Sequence, residues 1–112
     1  MPQARKSIQQ TQRFVTMVAA RRGWQLIADA EFLDTLVEGL TTNYNRYDYY
    51  LCPCRDTRGS READRDVVCP CEYAGPDISE FGHCFCALYQ SASFQGQGRE
   101  PRQIPERRPE GR

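Results

Sequence analysis

Six cysteines, all lying between positions 52 and 86, are where this 112-residue chain concentrates its chemistry. They form three Cys-x-Cys pairs: Cys52-Pro53-Cys54, Cys69-Pro70-Cys71 and Cys84-Phe85-Cys86. A [4Fe–4S] cluster or a tetrahedral structural zinc takes four thiolates, so six thiols leave two over. A disulfide inside a Cys-x-Cys pair would close a small, strained ring. Neighbouring positions on an extended segment point their side chains in different directions, so one sulfur of a pair can face a metal while the other faces solvent or a partner cysteine. Pro53 and Pro70 fix the local φ and supply no amide donor. The arrangement implied is four ligands from three loops, with two sulfurs together beside the metal. Spacing does not say which four. Soft thiolate and sulfide ligands suit electron transfer, whereas zinc has no redox chemistry.

The elements that must position these pairs are mostly helical. Ser7 to Arg22 reads as a helix, with Ile8, Phe14, Val15, Val18 and Ala19 at roughly helical spacing and Gly23 as its stop. Trp24, Leu26 and Ile27 are core contacts at the following turn. A second helix starts at Asp29, a good N-cap, and runs to about Thr41, with Phe32, Leu33, Leu36, Val37 and Leu40 as its apolar stripe. Tyr44, Tyr47, Tyr49 and Tyr50 then fall in a loop or short extended segment whose rings pack over the cysteine site. Asp56 to Asp66 reads as an exposed charged loop with one helical turn at Arg61–Asp64, and Val67 and Val68 re-enter the core. Asp77 and Glu80 have the form of a capping box opening a short helix that Gly82 ends. From Gln95 to Arg112 the composition is Gly, Gln, Pro, Arg and Glu with Ile104 as the one aliphatic residue. That composition reads as a disordered tail. The division is therefore a flexible N-terminus (1–6), one domain (7–94) and a tail (95–112). The fold class is mainly α: a small single domain of short helices and loops wrapping an iron–sulfur cluster, with little or no sheet.

Composition narrows the function classes. Acidic and basic residues balance at 15 each, which gives no support to a nucleic-acid or membrane-surface role, and the tyrosines lack the basic surroundings of a stacking platform. No apolar run of about 18 residues is present, so no transmembrane helix is expected. The first residues lack the apolar core of a secretory signal. Cysteines without an export signal point to metal or redox chemistry in a reducing, cytoplasmic compartment.

CPCR at 52–55, CPC at 69–71 and GHCFCALY at 82–89 resemble the catalytic subunit of ferredoxin–thioredoxin reductase, and the helical lead-in and the Tyr-Tyr-Leu before CPCR fit as well. The resemblance spans about residues 7 to 94. It implies a [4Fe–4S] cluster that takes electrons singly from ferredoxin and passes them to an adjacent disulfide, which reduces thioredoxin or a related dithiol protein. Carried over by position, Cys52, Cys69, Cys71 and Cys84 are the cluster ligands. Cys54 and Cys86 form the redox disulfide, with Cys54 the exposed nucleophile and Cys86 the partner beside the cluster. The resemblance also implies a small variable subunit, or self-association in its place. In the plant and cyanobacterial form the third pair is Cys-His-Cys, and its histidine assists proton transfer. Here Phe85 holds that position, and His83, the only histidine, either takes over the role or simply hydrogen-bonds to backbone or cluster sulfur. Loop lengths differ too, as in a divergent bacterial or archaeal branch. Arg55 follows Cys54 and reads either as an aid to its thiolate or, slightly favoured, as a structural or solvated loop residue. The alternatives from other classes are a non-catalytic zinc-binding interaction domain and an electron carrier with no active dithiol.

Overall fold

Two amphipathic helices, packed on one another, form the half of the molecule that carries no cysteine; the computed structural model describes residues 5–109. The first helix, α1 (Ile8–Arg22), opens with a capping box. Ser7 Oγ accepts the Gln10 N–H at 3.1 Å and Gln10 Oε1 accepts the Ser7 N–H at 2.8 Å. It closes at Gly23, whose φ of 72° is the left-handed conformation that glycine adopts at little cost. A two-residue strand, β1 (Gln25–Leu26), leads to α2 (Ala30–Tyr47), where Asp29 caps the start by accepting the Phe32 N–H. The buried face of α1 is Thr11, Val15, Val18 and Ala19, and that of α2 is Leu36, Val37, Leu40 and Thr41. Ile8 and Phe32, expected within these stripes, are exposed. Thr11 and Thr41 take their place because they satisfy one another: Thr41 Oγ1 donates to Thr11 Oγ1 at 2.7 Å, and Tyr50 Oη lies 3.1 Å from the same oxygen.

The second helix runs six residues past the Thr41 end expected from sequence, because Thr42 to Tyr47 contains neither Gly nor Pro; Asp48, with φ 70°, ends it. Tyr44 and Tyr47 consequently lie on the helix, whereas Tyr49 and Tyr50 follow it in the short non-helical segment expected. Tyr50 stacks on Phe14 of α1 at 4.5 Å, Tyr44 tilts against Tyr50 at 4.8 Å, and Tyr49 donates to Asp64.

Three small antiparallel pairings bring the cysteine segments into register. An isolated bridge between Leu51 and Val68, with the Cys52 N–H on Val67 O and the Cys69 N–H on Tyr50 O, sets the first pair beside the second. A 3-10 turn (Arg65–Val67) and then α3 (Ala74–Phe81) intervene before the third pair. A bridge from His83 to Gln90, with the Cys84 N–H on Tyr89 O, closes the loop that carries Cys84 and Cys86. Finally β2 (Tyr89–Gln90) pairs with β1, tying that loop to the helical half. The short helix α4 (Ala92–Gly96) follows, capped by Ser91. Gly82 ends α3 with φ 90°, and a Cβ there would collide with the buried Phe94 ring of α4. Mainly helical architecture with a minimal sheet is what the sequence led us to expect.

One local expectation is refined and two are corrected. Residues 56–66 form the mostly exposed loop expected, with a turn at Arg61–Asp64 closed by the Asp64 N–H on Ser60 O at 2.9 Å, but they wind around the fully buried carboxylate of Asp64, and a 3-10 turn follows at Arg65–Val67. Tyr49 Oη and Thr57 Oγ1 each donate to Asp64 Oδ2 at 2.6 Å, the Arg58 N–H donates to Oδ1 at 2.8 Å, and Arg108 Nη2 lies 3.4 Å from Oδ1. Asp77 and Glu80 do not open α3, which starts at Ala74 without a side-chain cap; both carboxylates instead take Arg107. Gln95 onward is also not a loose tail in this structure. Residues 97–109 have no regular structure, yet they run against the body with Ile104 and Arg108 buried. Charge holds this segment where apolar area is lacking: Glu106 pairs with Arg55, and Arg108 with Asp64 and Asp66. The remaining part of the expected tail (110–112) and most of the expected flexible N-terminus (1–4) lie outside the described residues. Lys6 is anchored, its N–H and C=O both bound by the Asn45 amide.

Burial alone would raise the Asp64 and Asp66 carboxyls, but their hydrogen bonds win and hold both below the usual range. A depressed folded pKa contributes stability above the unfolded value, near pH 4, and loses it as pH falls through the folded value. Chemical denaturation between pH 6 and 2 is therefore expected to show stability falling below about pH 4, with a shallower fall in Asp64→Asn. At neutral pH that variant is expected to lose about 3 kcal/mol, because it leaves Arg108 partly unpaired in the interior. An unchanged acid slope would contradict this account.

Candidate thiol and metal centre

Backbone register delivers five of the six sulfurs to one place. Cys52, Cys69, Cys71, Cys84 and Cys86 are all buried and line a single small interior cavity, whose other walls are Arg55, Pro70, Ala74, Phe85 and Tyr89. Pro70 follows a cis peptide bond. Cys54 is the one exposed cysteine and is not part of that lining. All six are free thiols. Cys84 Sγ and Cys86 Sγ are 4.0 Å apart.

The thiols differ in how firmly they hold their protons. Cys86 is pushed well up because its single S–H can donate to Cys52, Cys54 or Cys84, which favours its protonated form, with burial adding to the effect. Those same hydrogen bonds pull Cys54, Cys52 and Cys84 down. Burial pushes Cys69 well up and Cys71 to about 11. Cys54 and Cys86 are thus neighbours, one at the surface and the other against the cavity.

Polar groups converge on the sulfurs from outside. Arg55 Nη1 donates to Cys71 Sγ at 3.2 Å and lies 4.0 Å from Cys52 Sγ. The Tyr89 N–H donates to Cys84 Sγ at 3.4 Å, and Tyr89 Oη lies 3.6 Å from Cys69 Sγ. The Arg55 guanidinium packs over the Phe85 ring at 4.4 Å, so the residue standing where the plant form has histidine serves here as an aromatic wall for a cation. Arg55 is buried, so of the structural or solvated role that the sequence reading slightly favoured, the structural one fits.

His83 is almost fully buried, and backbone takes up both ring nitrogens. Nε2 accepts the Arg102 N–H at 3.3 Å, which leaves the proton on Nδ1, 2.7 Å from Cys84 O. Its ring meets the edge of Phe94. Sequence reasoning missed Tyr89 and Glu106 as neighbours of the centre. The one available signal was charge: acidic residues at 64, 66, 77 and 80 answer the arginines at 107 and 108.

Among the described residues, no three His, Cys, Asp or Glu side chains converge on a point that would hold a single metal ion. Five buried sulfurs from three segments do surround one space, and N–H donors are aimed at three of them. This donor set fits a polynuclear iron–sulfur group, whose irons each take their own thiolate.

The fold and site define a class: a small helical domain that gathers soft thiol donors around an interior cavity and keeps one more thiol at the surface. The family described as ferredoxin thioredoxin reductase catalytic beta chain matches residues 1–107, and the chain belongs to it. No curated protein matches the chain. No helix among the described residues is long and apolar enough to cross a membrane.

Exposure alone ranks the six thiols for attack from solvent. Brief iodoacetamide treatment of the reduced native protein, mapped by mass spectrometry, is expected to modify Cys54 first, with the other five reacting only after unfolding. Equal labelling of Cys86 would contradict the placement of the two sulfurs.

Proposed function

We propose that this protein is an iron–sulfur disulfide reductase that takes electrons one at a time from a ferredoxin and delivers them in pairs to thioredoxin or a similar dithiol protein in a reducing, cytoplasmic compartment. The observation that carries the reading is the division of the six thiols, with five on one buried cavity and Cys54 alone at the surface within reach of Cys86.

In this reading Cys52, Cys69, Cys71 and Cys84 hold a [4Fe–4S] cluster, which supplies one-electron chemistry next to the two remaining sulfurs. Cys54 and Cys86 form the redox-active pair. As a dithiol, Cys54 attacks one sulfur of the partner's disulfide as the thiolate. A Cys54–partner bond forms, the partner's S–S bond breaks, and the released partner sulfur takes up a proton. Cys86 then gives up its proton and attacks Cys54 Sγ. The Cys54–Cys86 disulfide closes and the partner leaves as a dithiol. Two electrons and two protons have passed to it. The asymmetry of the pair suits this order, since the more acidic, exposed thiol attacks and the buried one retains its proton until resolution.

Both ring nitrogens of His83 are engaged by backbone, so we assign it a positioning role rather than the proton transfer expected from sequence. It holds the Cys84 carbonyl on one side and the Arg102 N–H on the other. The domain measures 48 × 34 × 23 Å, and the short dimension would let donor and acceptor approach the centre from two faces. A small variable subunit or a second copy would dock on such a face.

Protein purified without oxygen is expected to contain about four irons per chain, with two thiols appearing only after reduction. Cys54→Ser should keep its iron and lose thioredoxin reduction. One zinc per chain with two thiols free from the start would overturn the proposal in favour of a zinc-binding interaction domain. Full activity in Cys54→Ser would point to an electron carrier.

A further inference from the structure

The segment that composition marked as a tail reaches the metal centre through one residue. The Arg55 side chain is 2% exposed, and Glu106 grips it with two parallel hydrogen bonds, from Nε at 2.8 Å and from Nη2 at 2.7 Å. With that fork occupied, the planar guanidinium turns Nη1 the other way, onto Cys71 and Cys52. Phe85 and Tyr73 close over the group at 4.4 and 5.3 Å. Glu106 is itself held in place: its Oε1 accepts the Arg108 N–H at 2.9 Å. The two residues after it are anchored elsewhere, Arg107 on Asp77 and Glu80 of α3, and Arg108 on Asp64 and Asp66. Three consecutive residues therefore each grip a different place: Arg55 beside the first cysteine pair, α3 between the second and third pairs, and the loop between the first and second.

We propose that Glu106 is a positioning residue of the metal centre: by gripping Arg55 it fixes a guanidinium against the sulfurs of Cys71 and Cys52, and so sets the reduction potential of the group those sulfurs hold. The inference rests on the iron–sulfur reading above. A cation and its N–H against ligand sulfurs favour the reduced, more negative state, and the effect is strong where water is excluded. The opposing charge of Glu106 lies on the far side of the guanidinium and is 37% exposed, so water screens it more than it screens Arg55. Without Glu106 the Nε and Nη2 donors of a buried guanidinium are left unpaired, which favours turning the side chain out to water and off the sulfurs.

The test is a double-mutant cycle of Arg55→Gln and Glu106→Ala on the iron-loaded protein, reading iron per chain and midpoint potential by spectroscopically monitored titration. Arg55→Gln is expected to shift the potential to a more negative value. Glu106→Ala should shift it in the same direction, and adding Arg55→Gln to Glu106→Ala should change it little further. Fixed charges contribute additively, so an Arg55 effect of equal size with and without Glu106 would overturn the proposal, as would an unshifted Glu106→Ala. If Arg55→Gln does not retain iron, Arg55→Lys replaces it in the cycle, with the same dependence on Glu106 expected. A wild-type protein without iron would sink the functional reading itself, whereas an iron-loaded protein with additive shifts would sink only this inference.

Discussion

The buried carboxylate of Asp64 is the constraint on which much of this structure depends. A charge taken out of water is tolerated only when its oxygens are filled with donors. Here the donors come from separate parts of the chain: Tyr49 just after α2, Thr57 and the Arg58 N–H in the loop, and Arg108 far downstream. One anion thereby fixes how the helical half, the loop between the first two cysteine pairs and the C-terminal segment meet. The loop has almost no apolar surface with which to do so, and the Leu51–Val68 bridge beside it holds the first pair next to the second.

The same economy governs the centre. Few residues are available for a core, and much of the lining of the cavity is sulfur. A bare array of buried thiols is an uneven place for protons, and Cys86 retains one because neighbouring sulfurs can accept it and burial disfavours its loss. Arg55 is the counterpart to this array, a cation whose fork is satisfied by Glu106 and whose faces are covered by rings. Substituting an aromatic for histidine between Cys84 and Cys86 has a structural meaning in this setting, since Phe85 gives that cation a wall.

Some of this was legible in the sequence because it is local. The cap at Asp29, the stops at Gly23 and Gly82, and the gathering of cysteine pairs follow from residue types at short spacing. The extension of α2 to Tyr47 was not, since a run without breakers neither demands nor forbids a helix, and Tyr44 is decided by its contact with Tyr50. Asp64 was hidden for a different reason. Among many charged loop residues nothing local marks the one that will be buried. Glu106 and Arg108 were missed because low apolar content was read as lack of order, when their partners lie some 42 to 51 positions away in the chain.

The order of synthesis gives the C-terminal segment a further meaning. Glu106, Arg107 and Arg108 come after every cysteine, so a chain emerging N-terminus first presents all six thiols before the residues that draw their loops together exist outside the ribosome. The small strand β2 can already have paired with β1 by then, leaving the cysteine loops assembled but not yet fastened. The cysteine site thus has an interval in which it is approachable, and that interval ends when Glu106, Arg107 and Arg108 are in place.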